Sequence, residues 1–220
     1  MHDVVVSGAG LWKPKYTITN DELVASYNAY ADRFNTDNSA AIAAGELAEK
    51  THSSTEFIEK ASGIKRRYAY VKDGILDIDR MRPKIERRQE DELSHQAEIA
   101  VNAAHVALAA ADKTGADIDM VIVSCAYTER SYPAIAIEVQ SELGIEGSGF
   151  DMLVACSAAT FALQRAHDAI AAGSARAVLV INPELTSPQI NYCDRDSHFI
   201  FGDVSTAVVL ETAETCTSGH

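Results

Sequence analysis

The 220-residue sequence predicts an α/β protein: a mostly parallel, mixed sheet with helices on both faces. Three observations carry this. Short apolar runs alternate along the chain with longer stretches of helical spacing, the pattern left by strand–helix–strand crossovers. Hydrophobic residues make up 47% and charged residues 23%, an ordinary globular balance that excludes global disorder, collagen and coiled coil. A chain of this length buries roughly 70% of its unfolded surface, enough for a sheet covered twice.

The elements follow in order. Asp3–Leu11 reads as a buried strand that turns at Gly8 and Gly10. Asn20, with Asp21 and Glu22 behind it, starts a helix running to about Phe34. Ala40–Lys50 is Ala-rich and predicted helical, and Thr55–Ala61 is a short helix ended by Gly63. Residues 64–92 are mixed, charged and without a clear period. Glu92–Asp112 has helical spacing at Ile99, Ala103, Val106, Ala107 and Ala110. Asp119–Ala126 is a strand, Tyr132–Leu143 a helix capped by Gly144, and Phe150–Ala155 a strand. Ser157–Ala172 is a helix closed by Gly173, followed by strands at Ala177–Ile181 and Thr206–Leu210.

Charge narrows the function. The formal net charge is −13, the wrong sign for a general nucleic-acid binder, which grips phosphate with Lys and Arg. The charge is uneven. Between Lys60 and Arg88 lie ten basic residues (Lys60, Lys65, Arg66, Arg67, Lys72, Arg80, Arg82, Lys84, Arg87, Arg88) and four acids, a local excess of +6 against −19 elsewhere. Such a stretch is either a solvated charged insertion or a dock for an anionic partner such as a carrier protein or coenzyme A. No stretch reaches the ~18 apolar residues of a membrane span. The opening Met1–Gly8 has no basic leader, and the four cysteines (Cys125, Cys156, Cys193, Cys216) form neither CxxC nor a zinc pattern. A reduced, cytoplasmic chain without metal is the expectation.

Two motifs are weak. Gly8-Ala9-Gly10 follows a strand, but Lys13 stands where a dinucleotide fingerprint needs its third Gly, and Pro14 follows instead of a helix. The hydrolase elbow GxSxG is absent. His105 and His167 fall within helices and read as packing or surface residues.

One constellation is strong. In Phe150-Asp151-Met152-Leu153-Val154-Ala155-Cys156-Ser157-Ala158-Ala159-Thr160 a strand runs straight into a helix with Cys156 at the junction. A thiol at a helix N-terminus meets unpaired N–H groups and the positive end of the dipole, which favour the nucleophilic thiolate. On position alone, a buried structural Cys fits equally well.

Here the chain resembles a family, the 3-oxoacyl-[acyl-carrier-protein] synthase III condensing enzymes of the thiolase superfamily. Five ordered stretches carry the resemblance: Ser7–Gly10 with Pro14 and Thr19–Leu23; Glu56–Ile58 through Ser62–Arg67; Tyr132–Ala134 with Val139-Gln140 and Leu143–Ile145; Asp151–Cys156; and Asp194–Asp196 with Phe199–Asp203. The resemblance implies the N-terminal half of a duplicated thiolase-like architecture, with charged insertions near 31–55 and 72–92 and the C-terminal half absent from this chain. It implies that Cys156 takes an acyl group from acyl-CoA. Decarboxylative Claisen condensation with malonyl-acyl carrier protein then gives the 3-oxoacyl product. By the same resemblance, Tyr132 reaches into the partner's pocket across a homodimer, Ile200 and Phe201 line the acyl pocket, and Phe57 and Arg195 contact coenzyme A. Coenzyme A is substrate here, and no bound cofactor is implied.

The departures are specific. Phe57 stands where the family has Trp, Ala61 where it has an Arg, and Ala158 where a Gly is common; the Gly-rich segment becomes Gly202-Asp203-Val204-Ser205-Thr206-Ala207. The family's decarboxylation His and Asn, in HQAN-like and NxGN-like motifs, occur nowhere here, and His198 does not match either. The 220 residues alone are therefore expected to be inactive in condensation. Two alternatives stay open: a Cys-dependent acyltransferase without decarboxylation, and a non-catalytic thiolase-fold subunit.

Overall fold

The structure is a computed structural model and describes residues 2–218. In chain order its elements are β1 (Val4–Trp12), β2 (Tyr16–Thr19), α1 (Asn20–Asp37), α2 (Ser39–Ala43), α3 (Thr55–Ser62), β3 (Arg66–Ala69), α4 (His95–Ala110), β4 (Met120–Cys125), α5 (Ile135–Leu143), β5 (Ser148–Leu153), α6 (Ala158–Ala171), β6 (Ala177–Glu184) and β7 (Val204–Thr212). They fall into two units. The first comprises residues 1–13, 87–184 and 204–220; the second comprises 14–86 and 185–203.

The first unit is a five-stranded sheet in the order β1-β7-β6-β4-β5. Its strands alternate, and that alternation builds two cores. Val121, Val123, Leu179 and Ile181 point to one face, where α4 and α5 bury Ala97, Ala100, Ala103, Ala104, Ala107, Ile135 and Val139. Ile122, Val178 and Val180 point to the other, against Ala162, Ala166 and Ile170 of α6. The alanines let α4 ride close to β1. A Cβ on Gly8 would sit 2.3 Å from the Ala107 carbonyl oxygen, and one on Gly10 2.2 Å from that of Ala103. The Gly-Ala-Gly run thus serves helix–strand contact.

The sheet is mixed, but less parallel than the alternation predicts. β4 pairs parallel with β5 and β6, whereas β7 pairs antiparallel with both β6 and β1. Residues 185–203, which separate β6 from β7, leave room for a reversal of direction that apolar patterning does not encode.

The second unit packs α1 and α3 against a small antiparallel ladder, β2 with β3. Thr19 and Glu22 form a capping box at the start of α1, and the Ser54 hydroxyl caps α3. The ladder lies partly in the stretch without a readable period. It is four residues long, and its inward positions include Ile18, Ala69 and the charged Arg67. The helix expected over 40–50 shrinks to Ser39–Ala43. It buries no side chain and has no side-chain cap, and Gly45 turns away at φ 75°.

Candidate active site

Strand β5 ends at Leu153, and a 3₁₀ turn over Ala155–Ser157 hands the chain to α6 at Ala158. Cys156 is the middle residue of that turn and is exposed. The residue before it, Ala155, has φ 47°, in the left-handed region that costs an L-residue roughly 1–2 kcal/mol. Such strain persists only where neighbours overdetermine it. They do so through Ser124 on β4, whose buried hydroxyl lies 3.1 Å from the Met152 carbonyl and 2.9 Å from that of Ala158. The Asn182 amide donates to the Ser124 carbonyl in turn (2.8 Å). The turn is thus braced from two neighbouring strands.

The three parallel strands end at the same edge, the place where α/β sheets gather ligand sites. Beyond Cys125 at the end of β4, the loop 126–134 is pinned down in several places. Buried Gln96 donates to the Tyr127 and Pro183 carbonyls and accepts from the Glu129 N–H. Glu184, at the end of β6, accepts from Ala126 N–H (3.0 Å). Burial raises the Glu184 carboxyl above the ordinary carboxylate range, opposed by that hydrogen bond. Asp151 takes the N–H groups of Ile135 and Ala136, both at 2.8 Å, which is why α5 begins at Ile135 and not at Tyr132. Tyr132 stays in the loop, 91% exposed.

The other thiol near this edge is a different case. Cys125 is fully buried and donates to the Tyr127 carbonyl. Burial, then the charges of Glu184 and Asp151, push it up to about 12. It is a packing residue, whereas Cys156 is the accessible one.

In the second unit, Ile200 and Phe201 sit side by side and exposed. Arg67 anchors their segment from inside. Buried, it donates to the Phe199 and Ile18 carbonyls and to Asn20 Oδ1 (2.7 Å). Asp203 accepts from Tyr70 and Ser187 N–H, and burial raises its carboxyl. Arg67 therefore does not belong to a surface dock, although the sequence count includes it. Lys72 is likewise paired, with Glu22, and Arg88 with Glu98. His198 is a buried ring stacked on Tyr27 (5.0 Å) with Nδ1 at the Asp194 carbonyl, and burial lowers its pKa.

Phe57 and Arg195 are brought together directly. The guanidinium lies 3.8 Å from the ring centroid. It also donates Nε–H to the His52 carbonyl (2.8 Å) and pairs with Asp196 (3.1 Å). Sequence reasoning named Cys156, Tyr132, Ile200, Phe201, Phe57 and Arg195 but missed Ser124, Asn182, Gln96 and Glu184. These act across elements far apart in sequence, and no local motif marks them. Among the described residues, no group of three His, Cys, Asp or Glu side chains could hold a metal. Among the described residues, no helix is long and apolar enough to cross a membrane.

A mixed sheet sandwiched by helices, with an accessible cysteine on a strained strand-to-helix turn, is what the resemblance to a thiolase-like protein leads one to expect, with Cys156 as candidate nucleophile. Known proteins share this sequence and this fold. Residues 150–219 match the sequence profile of 3-oxoacyl-[acyl-carrier-protein] synthase III. The beta-ketodecanoyl-[acyl-carrier-protein] synthase of Pseudomonas aeruginosa is 52% identical over 89% of this chain and 56% of its own length. The beta-ketoacyl-[acyl-carrier-protein] synthase III of Caulobacter vibrioides is 29% identical over 96% and 52%. The crystal structure of 3-oxoacyl-[acyl-carrier-protein] synthase III from Aquifex aeolicus superposes with a TM-score of 0.71 at 26% identity, covering 96% of this chain and 55% of that one. The chain is thus synthase III-like in sequence and fold along nearly its whole length, and it spans about half the length of these relatives.

Proposed function

We propose that the protein is a Cys-dependent condensing enzyme that takes an acyl group from acyl-CoA and passes it to malonyl-acyl carrier protein. The observation that carries this reading is the exposed Cys156 on its strained, braced turn at the carboxyl edge of the sheet. Its Sγ attacks the thioester carbonyl carbon, the coenzyme A thiolate leaves with a proton, and an acyl-Cys156 thioester remains. The Cys156 N–H serves the oxyanion. Malonyl carrier protein then loses CO₂, its carbanion attacks the acyl carbon, and the Cys156 thiolate is released. The His and Asn for the second step are assigned to a C-terminal half beyond these residues.

The Pseudomonas relative is named for a beta-ketodecanoyl product. Condensation adds two carbons, so the primer in this reading is an eight-carbon acyl chain. Arg195 meets the nucleotide end of the donor. A purine between guanidinium and Phe57 would hold them about 7 Å apart, two stacking distances. At 3.8 Å the pair is closed, so in this reading the nucleotide meets the outer guanidinium face. Lys60, Lys65, Arg66, Arg82 and Lys84 are exposed and in no ion pair among the described residues, a cationic set suited to an acidic carrier protein. Homodimerisation fits Tyr132, which projects into solvent, and β5, an edge strand with Phe150 and Leu153 exposed.

The test is mass spectrometry of the intact protein after incubation with octanoyl-CoA, followed by malonyl-carrier protein. An octanoyl adduct on Cys156, absent in Cys156→Ala and discharged with CO₂ release, is expected. An adduct discharged to other acceptors without CO₂ would mean plain acyl transfer. No adduct with any acyl-CoA would mean a non-catalytic subunit.

A further inference from the structure

Helix α1 carries a polar stripe at Asn28, Asp32 and Asn35, positions that share one helical face. This stripe meets the backbone of residues 50–53. Asn28 Nδ2 donates to the Ser53 carbonyl (3.1 Å), and Ser53 N–H donates back to Asn28 Oδ1 (2.8 Å). Asn35 repeats the arrangement with Lys50, both bonds at 2.9 Å. Between them Asp32 Oδ1 meets His52 Nε2 at 2.7 Å. A side chain that bonds both the N–H and the C=O of one residue holds that segment as a neighbouring strand would, with geometry as well as energy.

The held segment reaches the loop that bears Arg195 twice. Lys50 Nζ donates to the Cys193 carbonyl (3.3 Å) with its ammonium over Tyr30 and Phe34. The His52 carbonyl accepts Arg195 Nε–H (2.8 Å). Arg195 is thereby held in place on three sides: Phe57 beneath, Asp196 at one end and His52 at the other. A long, rotamer-rich side chain loses less entropy on binding when it is already held this way.

We propose that the Asn28–Asp32–Asn35 ladder is a positioning device that sets the affinity for nucleotide-bearing acyl donors, acting through the His52 carbonyl on Arg195. This rests on the reading of Arg195 as a donor contact. Its ligand class is a thioester carrying a phosphorylated nucleotide, as opposed to the same acyl group on bare pantetheine.

The experiment measures steady-state kinetics of the intact protein with octanoyl-CoA and octanoyl-pantetheine. The variants are Asn28→Ala/Asn35→Ala, each single change, Arg195→Ala, and the combination of all three. The ladder pair is expected to raise KM for octanoyl-CoA about five- to tenfold, the loss of a well-oriented charged hydrogen bond. The kcat, and the KM for octanoyl-pantetheine, should stay within about twofold, because the nucleotide-free donor does not use Arg195. Arg195→Ala should give the same shift, and adding the ladder changes to it should add nothing. Turnover of octanoyl-pantetheine reports that each variant is folded. If the pair does not fold, the single changes carry the test with smaller shifts. An unchanged KM for octanoyl-CoA, an equal rise for both donors, or an additive effect in the Arg195→Ala background would overturn the inference alone. An Arg195→Ala variant with unaltered KM for octanoyl-CoA would overturn the donor reading and this inference with it.

Discussion

Ala155 and Cys156 form one mechanical unit. Backbone strain at φ 47° is tolerable for Ala and costly for a β-branched side chain. Ala155→Val is expected to destabilise the protein by about 1–2 kcal/mol and to slow acylation of Cys156, read by denaturant unfolding and by the rate of adduct formation. Equal stability and equal rate would mean that the turn relaxes freely. Glu184 gives a pH-dependent counterpart. Its folded pKa is raised by burial, so the folded state binds its proton more tightly than the unfolded chain. The sign follows: stability is greatest below the unfolded carboxylate value and declines as pH rises through the folded one. Glu184→Gln keeps an acceptor for the Ala126 N–H and removes the titration. Melting temperature between pH 4 and 8 should therefore fall less with pH in the variant than in the parent, with the variant ahead at the alkaline end. The place of Cys156 was legible in the sequence because a Cys at a strand–helix junction is a local pattern. The brace beneath it was not, because Ser124 and Asn182 act on carbonyls across strands and resemble any other polar residue in a strand.

At the scale of elements, patterning located the strands of the larger sheet and α1, α3, α4, α5 and α6 to within a few residues, because each buries a face at its own period. Patterning failed where burial was small. The short β2–β3 ladder turns a charged Arg67 inward, and α2 buries no side chain. Patterning rejected Gly8-Ala9-Gly10 as a dinucleotide fingerprint, but the packing role of the two glycines needed the structure. Gly8 and Gly10 leave the room that α4 needs, and Gly10→Ala would drive a methyl to 2.2 Å from the Ala103 carbonyl. Either α4 moves off β1 or the strand bends. A loss of about 1–3 kcal/mol is expected by equilibrium unfolding, as for other overpacked sites. Because α4 also carries Gln96, which holds loop 126–134, the same change should increase protease cleavage near Tyr132. A Gly10→Ala protein with parental stability and cleavage would show that α4 and the loop are not coupled.

At the scale of the whole chain, charge and apolar surface point in different directions. The net charge of −13 favours solubility and keeps copies apart. Against it, Val6 (52%), Leu11 (57%), Leu153 (56%) and Phe161 (52%) are more than half exposed in the first unit. Val6 and Leu11 lie on β1, where Gly8 and Gly10 face α4. Alternation therefore turns Leu11 to the α6 side of the sheet, and the irregularity in β1 pairing between Val6 and Gly8 brings Val6 to the same side. Phe161 projects from α6 itself. Apolar side chains gathered on one layer mark a surface that another layer covers. Residues 1–220 prepared by themselves should bind a hydrophobic dye and sediment as concentration-dependent oligomers. Val6→Asp and Phe161→Asp together should abolish both without lowering the melting temperature, because neither side chain is in the core. In a protein that also carries the C-terminal half, the same pair should be strongly destabilising. If the pair is neutral there as well, that surface faces water in the intact protein, and the assignment of a covering half to it is wrong.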